Sequence, residues 1–240
     1  MALRSAGIGA YAPDERHLVF VGSSYGGGGP LVIVGHGAGG TAWDYNTDPS
    51  WRRDLDLLAD AGCVVVAADL GGDTWGNDTF LAMAEAVIDW AESTWDADVS
   101  KVSWIGDSMG GGTALNWAWR NTGRIGALVL RVPGVAYDNI YHRIGFLTES
   151  MDDAYSGDWS ANVADRDPSA NTEAIAEFAD RVRIYYSTND PLISLEQDIR
   201  PFAEATGIRA IPLGDVGHDP ATVFPAVHAQ AQAQFILSQL

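Results

Sequence analysis

A glycine-rich turn near the middle of the chain surrounds a serine in a pattern that could support nucleophilic catalysis. Ser108 stands between Gly106 and Gly110, directly after a predicted strand (101–105) and at the start of a predicted helix (108–121). A Gly-x-Ser-x-Gly turn in this context is typical of a nucleophile elbow, whose sharp corner exposes the hydroxyl. The alternative is a phosphate-binding turn, but the lysine that follows such turns is absent. Ser108 is therefore the candidate nucleophile.

An earlier glycine-rich stretch is suited to binding a negatively charged oxygen. The segment 35–40, Gly-His-Gly-Ala-Gly-Gly, follows the short apolar stretch 31–34. Next to a nucleophile elbow, one backbone N–H comes from such a loop and another from the residue after the serine. We expect Ala38 and Met109 to supply these two donors of an oxyanion hole. His36 could itself be a base, or it could order the loop through side-chain hydrogen bonds.

A carboxylate and an imidazole follow later in the chain, each in a loop after an apolar stretch. Asp190 stands just past the predicted strand 182–187, and His218 lies between the predicted strand 209–212 and a closing helix (220–240). An imidazole that accepts the serine proton, oriented by a carboxylate, would complete a catalytic triad. We therefore predict His218 as the base and Asp190 as the acid, although Asn-Asp-Pro is also ordinary turn chemistry.

Two other carboxylates lie near the predicted base. Asp215 and Asp219 are rivals for the acid, but they stand too close to His218 in sequence for the usual arrangement at strand ends. The same three residues could hold a metal ion, although no helix-spaced histidine pair supports this. We expect neither a metal nor a cofactor.

The elements that must position these residues alternate between strands and helices. The remaining predicted strands are 17–23, 63–68 and 127–132, and the remaining predicted helices are 51–61, 77–95 and 196–205. We expect Asp78 or Thr79 to cap the helix 77–95. Such alternation predicts a single α/β domain over 1–240, with a mostly parallel central sheet flanked by helices. Right-handed crossovers then bring the functional loops to the carboxyl ends of the strands.

One segment interrupts this alternation. Residues 136–171 are rich in Tyr, Asp, Asn and Ser and lack strand periodicity. A long stretch without secondary structure in a compact domain is usually functional, so we predict a small cap insertion, with a surface excursion as the alternative. Aromatic side chains in the loops near the predicted site could line a substrate pocket or belong to local core. They are Trp43, Tyr45, Trp75, Tyr137 and Tyr141.

Composition disfavours several classes of partner. The net charge is −18 and Lys101 is the only lysine, which disfavours binding to nucleic acid or to an anionic membrane surface.

Cys63 is the only cysteine, so no intrachain disulfide can form, and its apolar surroundings indicate a buried, inert thiol. No apolar run reaches the roughly 20 residues of a membrane span, and residues 1–10 lack the core of a secretory signal. The default expectation is a soluble, cytoplasmic protein.

Taken together, these motifs resemble those of the α/β-hydrolase superfamily over nearly the whole chain. The order Ser108, Asp190, His218 is the order of triad residues in that superfamily. The resemblance implies an eight-stranded, mostly parallel sheet whose first part is antiparallel, and an acyl-enzyme mechanism without a cofactor. It also places a cap at 136–171. Asp107 departs from the pattern, because many relatives have His, Tyr or Glu before the serine.

The function expected from these features is hydrolysis of a small-molecule or polymeric carboxylic ester by a serine esterase or lipase-like enzyme. A serine peptidase or amidase could use the same triad. A non-catalytic binding or structural module with the same fold is a third possibility, which the intact set of triad residues disfavours. The sequence does not indicate the acyl length, the alcohol or the oligomeric state.

Overall fold

The central sheet contains eight strands in the computed structural model, which describes residues 2–5 and 17–240. Most of the N-terminal stretch considered above for a signal therefore lies outside the described residues. The strands are β1 (Ala2–Ser5), β2 (His17–Val21), β3 (Pro30–Gly35), β4 (Val64–Ala68), β5 (Asp98–Asp107), β6 (Ile125–Arg131), β7 (Val182–Tyr186) and β8 (Arg209–Pro212).

The sheet has the order β1-β2-β4-β3-β5-β6-β7-β8. Strand β2 pairs antiparallel with both β1 and β4, and the strands from β4 to β8 pair parallel to one another. The predicted mostly parallel sheet with an antiparallel first part is confirmed. Buried side chains alternate between its two faces, with Ile33 on one side and Val32 and Val34 on the other. Both faces are covered, which explains why these strands are continuous apolar runs.

Helices cover the two faces of the sheet and the carboxyl ends of its strands. They are α1 (Asp44–Thr47), α2 (Arg53–Asp60), α3 (Asp78–Trp95), α4 (Met109–Arg120), α5 (Tyr137–Arg143), α6 (Gly145–Tyr155), α7 (Trp159–Arg166), α8 (Thr172–Ala176), α9 (Arg200–Thr206), α10 (Pro220–Ala226) and α11 (Ala229–Leu237). Helices α2, α10 and α11 pack in one apolar cluster, and α3, α4 and α8 pack in the other. Within the described part of the chain, no helix has both the length and the apolar composition needed to cross a membrane.

Three predicted helix limits differ from the structure. Asn77 caps α3, because its side-chain oxygen accepts a hydrogen bond from the N–H of Phe80, so the prediction of Asp78 or Thr79 is wrong. The predicted helix 51–61 begins as a 3₁₀ turn over 49–52. The predicted closing helix is broken into α10 and α11 at Val227 and His228, whose ψ angles of 132° and 81° lie outside the helical range.

The segment 136–171 is helical rather than irregular. Its longest helix, α6, buries Leu147, Met151 and Tyr155, which are spaced four residues apart and form one face of the helix. The polar residues between them hid this periodicity in the sequence. The segment therefore forms helices that pack through an apolar face on the core.

The start of helix α4 touches the sheet through backbone alone. A Cβ atom on Gly110 would lie 2.3 Å from the carbonyl oxygen of Gly35 in β3. A Cβ atom on Gly106 would lie 2.4 Å from the carbonyl oxygen of Gly110. These distances are far below van der Waals contact, so only glycine lets the helix approach β3 and β5 this closely.

We predict that Gly110→Ala destabilises the fold, because the added methyl must displace the backbone of β3. The expected loss in the free energy of unfolding is at least about 2 kcal/mol, as for other overpacked sites. Urea unfolding followed by circular dichroism measures it. Gly123→Ala is the matched control, since a Cβ atom there meets nothing within 4 Å, and it should change stability by less than about 0.5 kcal/mol. Equal effects of the two substitutions would contradict the close-packing argument.

Candidate active site

Ser108 occupies the corner between strand β5 and helix α4. Its backbone dihedrals are φ 50° and ψ −114°, a strained conformation that non-glycine residues rarely adopt. Three hydrogen bonds hold the corner: the N–H of Ser108 donates to the carbonyl of Arg131, and its carbonyl accepts from the N–H groups of Gly111 and Gly134. The neighbouring strand β6 and the loop after it therefore fix the serine at the carboxyl edge of the sheet.

The three side chains predicted from the sequence lie together at this edge. His218 Nε2 is 2.9 Å from Ser108 Oγ, and His218 Nδ1 is 2.7 Å from Asp190 Oδ2. The other oxygen of Asp190 accepts hydrogen bonds from the N–H groups of Leu192 and Ile193. Because the acid accepts from Nδ1–H, the lone pair of Nε2 faces the serine hydroxyl. The serine is thus placed to donate its proton to the imidazole.

The two carboxylates that were alternatives for the triad acid have other surroundings. Asp219 accepts a hydrogen bond from the N–H of Ala221 and caps helix α10, while Asp215 is exposed. Within the described residues, no group of three His, Cys, Asp or Glu side chains is arranged to hold a metal ion.

The loop after β3 passes directly over the serine. A Cβ atom on Gly37 would lie 3.2 Å from Ser108 Cβ, so the loop backbone contacts the serine side chain closely. Ala38 lines the same cavity as Ser108. Met109 is the first residue of α4, so its N–H has no acceptor within the helix. The two backbone donors predicted from the sequence therefore belong to the two segments next to Ser108, the loop after β3 and the first turn of α4.

His36 is a buried cation rather than a base. Its Nδ1 lies 2.8 Å from the carbonyl oxygen of Gly37, and its Nε2 lies 2.9 Å from that of Asp69. Carbonyl oxygens only accept hydrogen bonds, so both ring nitrogens carry a proton. Burial disfavours the charge, but the carboxylate of Asp69, 3.3 Å from Nε2, and the two carbonyls outweigh it and raise the pKa of His36 to about 8. The side chain orders the loop, as one of the two sequence interpretations held.

A second buried charge cluster lies behind the serine. Arg131 donates to both carboxylate oxygens of Asp107, at 2.5 and 2.7 Å, and to Asp54 at 3.1 Å. Tyr45 also donates to Asp107, and the guanidinium lies 4.5 Å from the ring centroid of Phe224. Burial raises the pKa of Asp54, and the charge of Arg131 opposes that rise. Asp107 thus anchors the elbow through an ion pair.

A cavity of about 170 Å³ opens beside Ser108. Aromatic side chains from the segment after β3 and from α10 form one part of its lining, namely Tyr45, Trp51 and Phe224. Aliphatic and aromatic side chains from α6 and from the loop after β7 form another part, namely Phe146, Leu147 and Leu192. The cavity is therefore largely apolar.

Of the five aromatic residues predicted near the pocket, only Tyr45 lines the cavity. Trp75 and Tyr137 are buried in the core, where their ring centroids lie 5.1 Å apart. Trp43 is 40% exposed, and Tyr141 donates a hydrogen bond to Asp152. These four residues do not line this cavity, and for Trp75 and Tyr137 the structure shows the alternative interpretation, local core.

The aromatic pocket residues that the sequence analysis missed come from helical segments. Trp51 lies in a 3₁₀ turn, Phe224 in α10 and Phe146 in α6, and each was placed in a helix or in the irregular segment. Only Trp51 stands between polar neighbours, Ser50 and Arg52, which could have marked it, and Phe146 and Phe224 have no such signal. Phe146 is 60% exposed, which fits a position at the cavity mouth rather than in the core.

The charge on His36 predicts a pH dependence of stability. The pKa of His36 is about 8 in the folded chain and 6.5 for an unperturbed histidine, so the stabilisation is full below pH 6.5 and is lost as the pH rises through 8. We expect His36→Gln to cost about 2 kcal/mol more at pH 6 than at pH 9, measured by urea unfolding. His142→Gln, which changes an exposed histidine, should show no such difference. A pH-independent effect of His36→Gln would refute the imidazolium assignment.

Comparisons with known proteins agree with this architecture. No protein-family model matches the chain. A 2-hydroxy-6-oxononadienedioate/2-hydroxy-6-oxononatrienedioate hydrolase of Cupriavidus pinatubonensis is 29% identical over 122 residues, which is 46% of this chain and 38% of the relative. The chain thus matches well under half the length of that relative.

Two solved structures are similar over most of the chain. An S-formylglutathione hydrolase from Agrobacterium tumefaciens has a TM-score of 0.72 at 20% identity, over 93% of this chain and 89% of the other. The fluorophosphonate-binding serine hydrolase FphF of Staphylococcus aureus has a TM-score of 0.71 at 15% identity, over 93% and 91%. At such low identities the likeness concerns architecture, and together with the strand order it identifies the α/β-hydrolase fold in this chain.

Proposed function

We propose that this protein is a serine hydrolase that cleaves carboxylic esters through an acyl-enzyme intermediate, with Ser108, His218 and Asp190 as its triad. The observation that carries the proposal is the continuous set of hydrogen bonds from Asp190 through His218 to Ser108, beside an apolar cavity. The acid is held by two backbone N–H groups of its own loop, so it presents one oxygen to the imidazole in a fixed direction.

In the first half of the reaction, Ser108 Oγ attacks the ester carbonyl carbon while His218 Nε2 takes the serine proton. The new C–O bond moves the carbonyl electron pair onto oxygen, and the N–H groups of Ala38 and Met109 bind that oxyanion. One such donor contributes about 3 to 4 kcal/mol of transition-state stabilisation. Collapse of the intermediate breaks the bond to the alcohol, which leaves with the proton from His218.

In the second half, water replaces the alcohol. His218 removes a proton from the water, the resulting hydroxide attacks the acyl carbon, and the proton returns to Ser108 Oγ as the acid product leaves. Asp190 stays ionised throughout and stabilises the imidazolium that forms twice in the cycle.

The cavity favours a small, uncharged acyl group. Its volume of about 170 Å³ is close to the roughly 150 Å³ of an engineered apolar cavity that binds benzene. Among the described residues that line it, the ionisable ones are Asp44, Tyr45, Asp107, His36 and His218, and neither Lys nor Arg occurs. A carboxylate on the substrate would lose water without gaining a cationic side chain free to pair with it, since His36 is already bonded on both nitrogens.

We also propose that residues 136–171 form a cap over this site. Phe146 and Leu147 on α6 line the cavity, so the segment supplies part of the surface that a substrate would contact. Substrate enclosure by such a segment would exclude bulk water around the reacting carbonyl.

The first test compares wild type with Ser108→Ala on p-nitrophenyl acetate and butyrate. We expect kcat to fall by at least about 10³-fold, because the nucleophile is lost, while the fold is retained. A fluorophosphonate probe should label wild type and leave Ser108→Ala unlabelled. Ser160→Ala, which changes an exposed serine on α7, is the control and should behave as wild type. An unlabelled, inactive wild type would favour a non-catalytic module, and a preference for amide over ester substrates would favour a peptidase.

The second test concerns the charge of the acyl group. Mono-p-nitrophenyl succinate and its methyl ester have the same acyl backbone, and only the first carries a carboxylate. We expect kcat/KM to be at least about 10-fold higher for the methyl ester, because the cavity offers the carboxylate no available cation. Equal values for the two substrates would contradict the proposed neutral acyl group.

A further inference from the structure

The loop after β4 holds the loop over the serine from a second side. The carboxylate of Asp73 accepts a hydrogen bond from the N–H of Gly39, with its two oxygens 2.8 and 3.0 Å from the nitrogen. The loop of Asp73 is itself braced, because the N–H of Gly72 donates to the carbonyl of Asp69 and the N–H of Thr74 donates to that of Gly72. These two backbone hydrogen bonds therefore hold the loop that carries Asp73 in one conformation.

The same carboxylate also contacts the proposed cap. Ser150 on α6 donates its hydroxyl to Asp73 Oδ2 at 3.1 Å, and it accepts a hydrogen bond from Trp75 Nε1 at 2.8 Å. The indole donor leaves the serine hydroxyl proton free to point to the carboxylate, which fixes the direction of both bonds. One side chain of the β4 loop thus joins the loop after β3 to helix α6.

The helix face that carries Ser150 also lines the cavity. Phe146 and Leu147 precede Ser150 by four and three residues, so the three side chains project from the same side of α6. Phe146 and Leu147 lie where an acyl group bound at Ser108 would contact the cap. The position of that contact and the bond to Asp73 therefore depend on the same turn of helix.

The two peptide groups around Ala38 are held by different side chains. The N–H of Ala38 shares a planar peptide unit with the carbonyl of Gly37, which accepts from His36. The next peptide unit contains the N–H of Gly39, which donates to Asp73. With both planes fixed, the backbone dihedrals of Ala38 are fixed as well, and its N–H keeps one direction. His36 fixes one plane from within the loop, and Asp73 fixes the other from outside it.

From this arrangement we infer that Asp73 is a positioning residue that couples helix α6 to the oxyanion donor at Ala38. The inference rests on the proposed hydrolase function. Asp73 does not touch the reacting atoms. It links the helix that contacts the acyl group with the amide that binds the developing oxyanion. The position of the acyl group and the direction of the oxyanion donor therefore depend on the same set of hydrogen bonds.

The experiment measures kcat and KM of Asp73→Ala, Asp73→Asn and Ser150→Ala on p-nitrophenyl butyrate. For Asp73→Ala we expect kcat to fall about 10- to 100-fold with KM within about threefold, since misaiming one donor affects the transition state most. Ser150→Ala should lower kcat less. Asp73→Asn should recover most of the activity, because its amide oxygen can accept from Gly39 and its NH₂ can donate to Ser150. Asp153→Ala, at an exposed acid on α6, is the control.

Three further readouts separate positioning from folding. Amide hydrogen exchange in the segment 37–40 should be faster in Asp73→Ala than in wild type, while urea unfolding of Asp73→Asn should match wild type. The pH dependence of kcat/KM should keep its acid limb, because the bond between His218 and Asp190 is untouched. If Asp73→Ala does not fold, Ser150→Ala and Asp73→Asn still carry the test.

The possible failures are distinguishable. A wild type that turns over esters, together with an Asp73→Ala whose kcat stays within twofold, would overturn the inference and leave the hydrolase proposal intact. A rise in KM alone, or equal losses in Asp73→Ala and Asp73→Asn, would also overturn it. A wild type that neither hydrolyses esters nor reacts with a fluorophosphonate would overturn the hydrolase proposal itself.

Discussion

The close backbone contact between helix α4 and the two central strands is the constraint on which the site depends. Gly106 and Gly110 let the first turn of α4 approach β5 and β3, where any Cβ atom would overlap a carbonyl oxygen. The chain must therefore turn within a single residue, and Ser108 takes up the unfavourable dihedrals. The free-energy cost of these dihedrals is offset by three backbone hydrogen bonds, which the corner makes with β6, with the first turn of α4 and with the loop after β6.

Buried cations stabilise the two segments that flank the serine. Arg131 pairs with Asp107 immediately before Ser108 and extends to Asp54 on α2, which ties the elbow to a helix on the other face of the sheet. His36 binds two carbonyls and lies beside Asp69, which ties the loop after β3 to the loop after β4. In a chain with a net charge of −18, these cations are enclosed by acceptors that favour the charged form. The charges in the two segments that flank Ser108 are thus fixed before any substrate binds.

The sequence was most informative where chemistry requires particular residue types at particular strand ends. Ser108, Asp190 and His218 could be selected because each follows an apolar strand, and parallel strands bring such positions to one edge. Seven strands and the elbow followed from the same periodicity, whereas the count of eight strands came from the family resemblance. For Trp75 and Tyr137 the sequence left a pocket or the local core open, since an aromatic residue in a loop can turn inward or toward the site, and the structure places both in the core.

By itself the sequence determined the order of strands along the chain, the residues able to form a triad and the absence of an intrachain disulfide. Only the tertiary structure decided how 136–171 folds, which side chains line the cavity, that His36 is charged and that Asp73 links two loops to α6. The physical reason is the separation along the chain of the residues that interact. Strand and turn preferences are set by neighbours a few residues away, whereas each of these other properties depends on contacts between segments tens of residues apart.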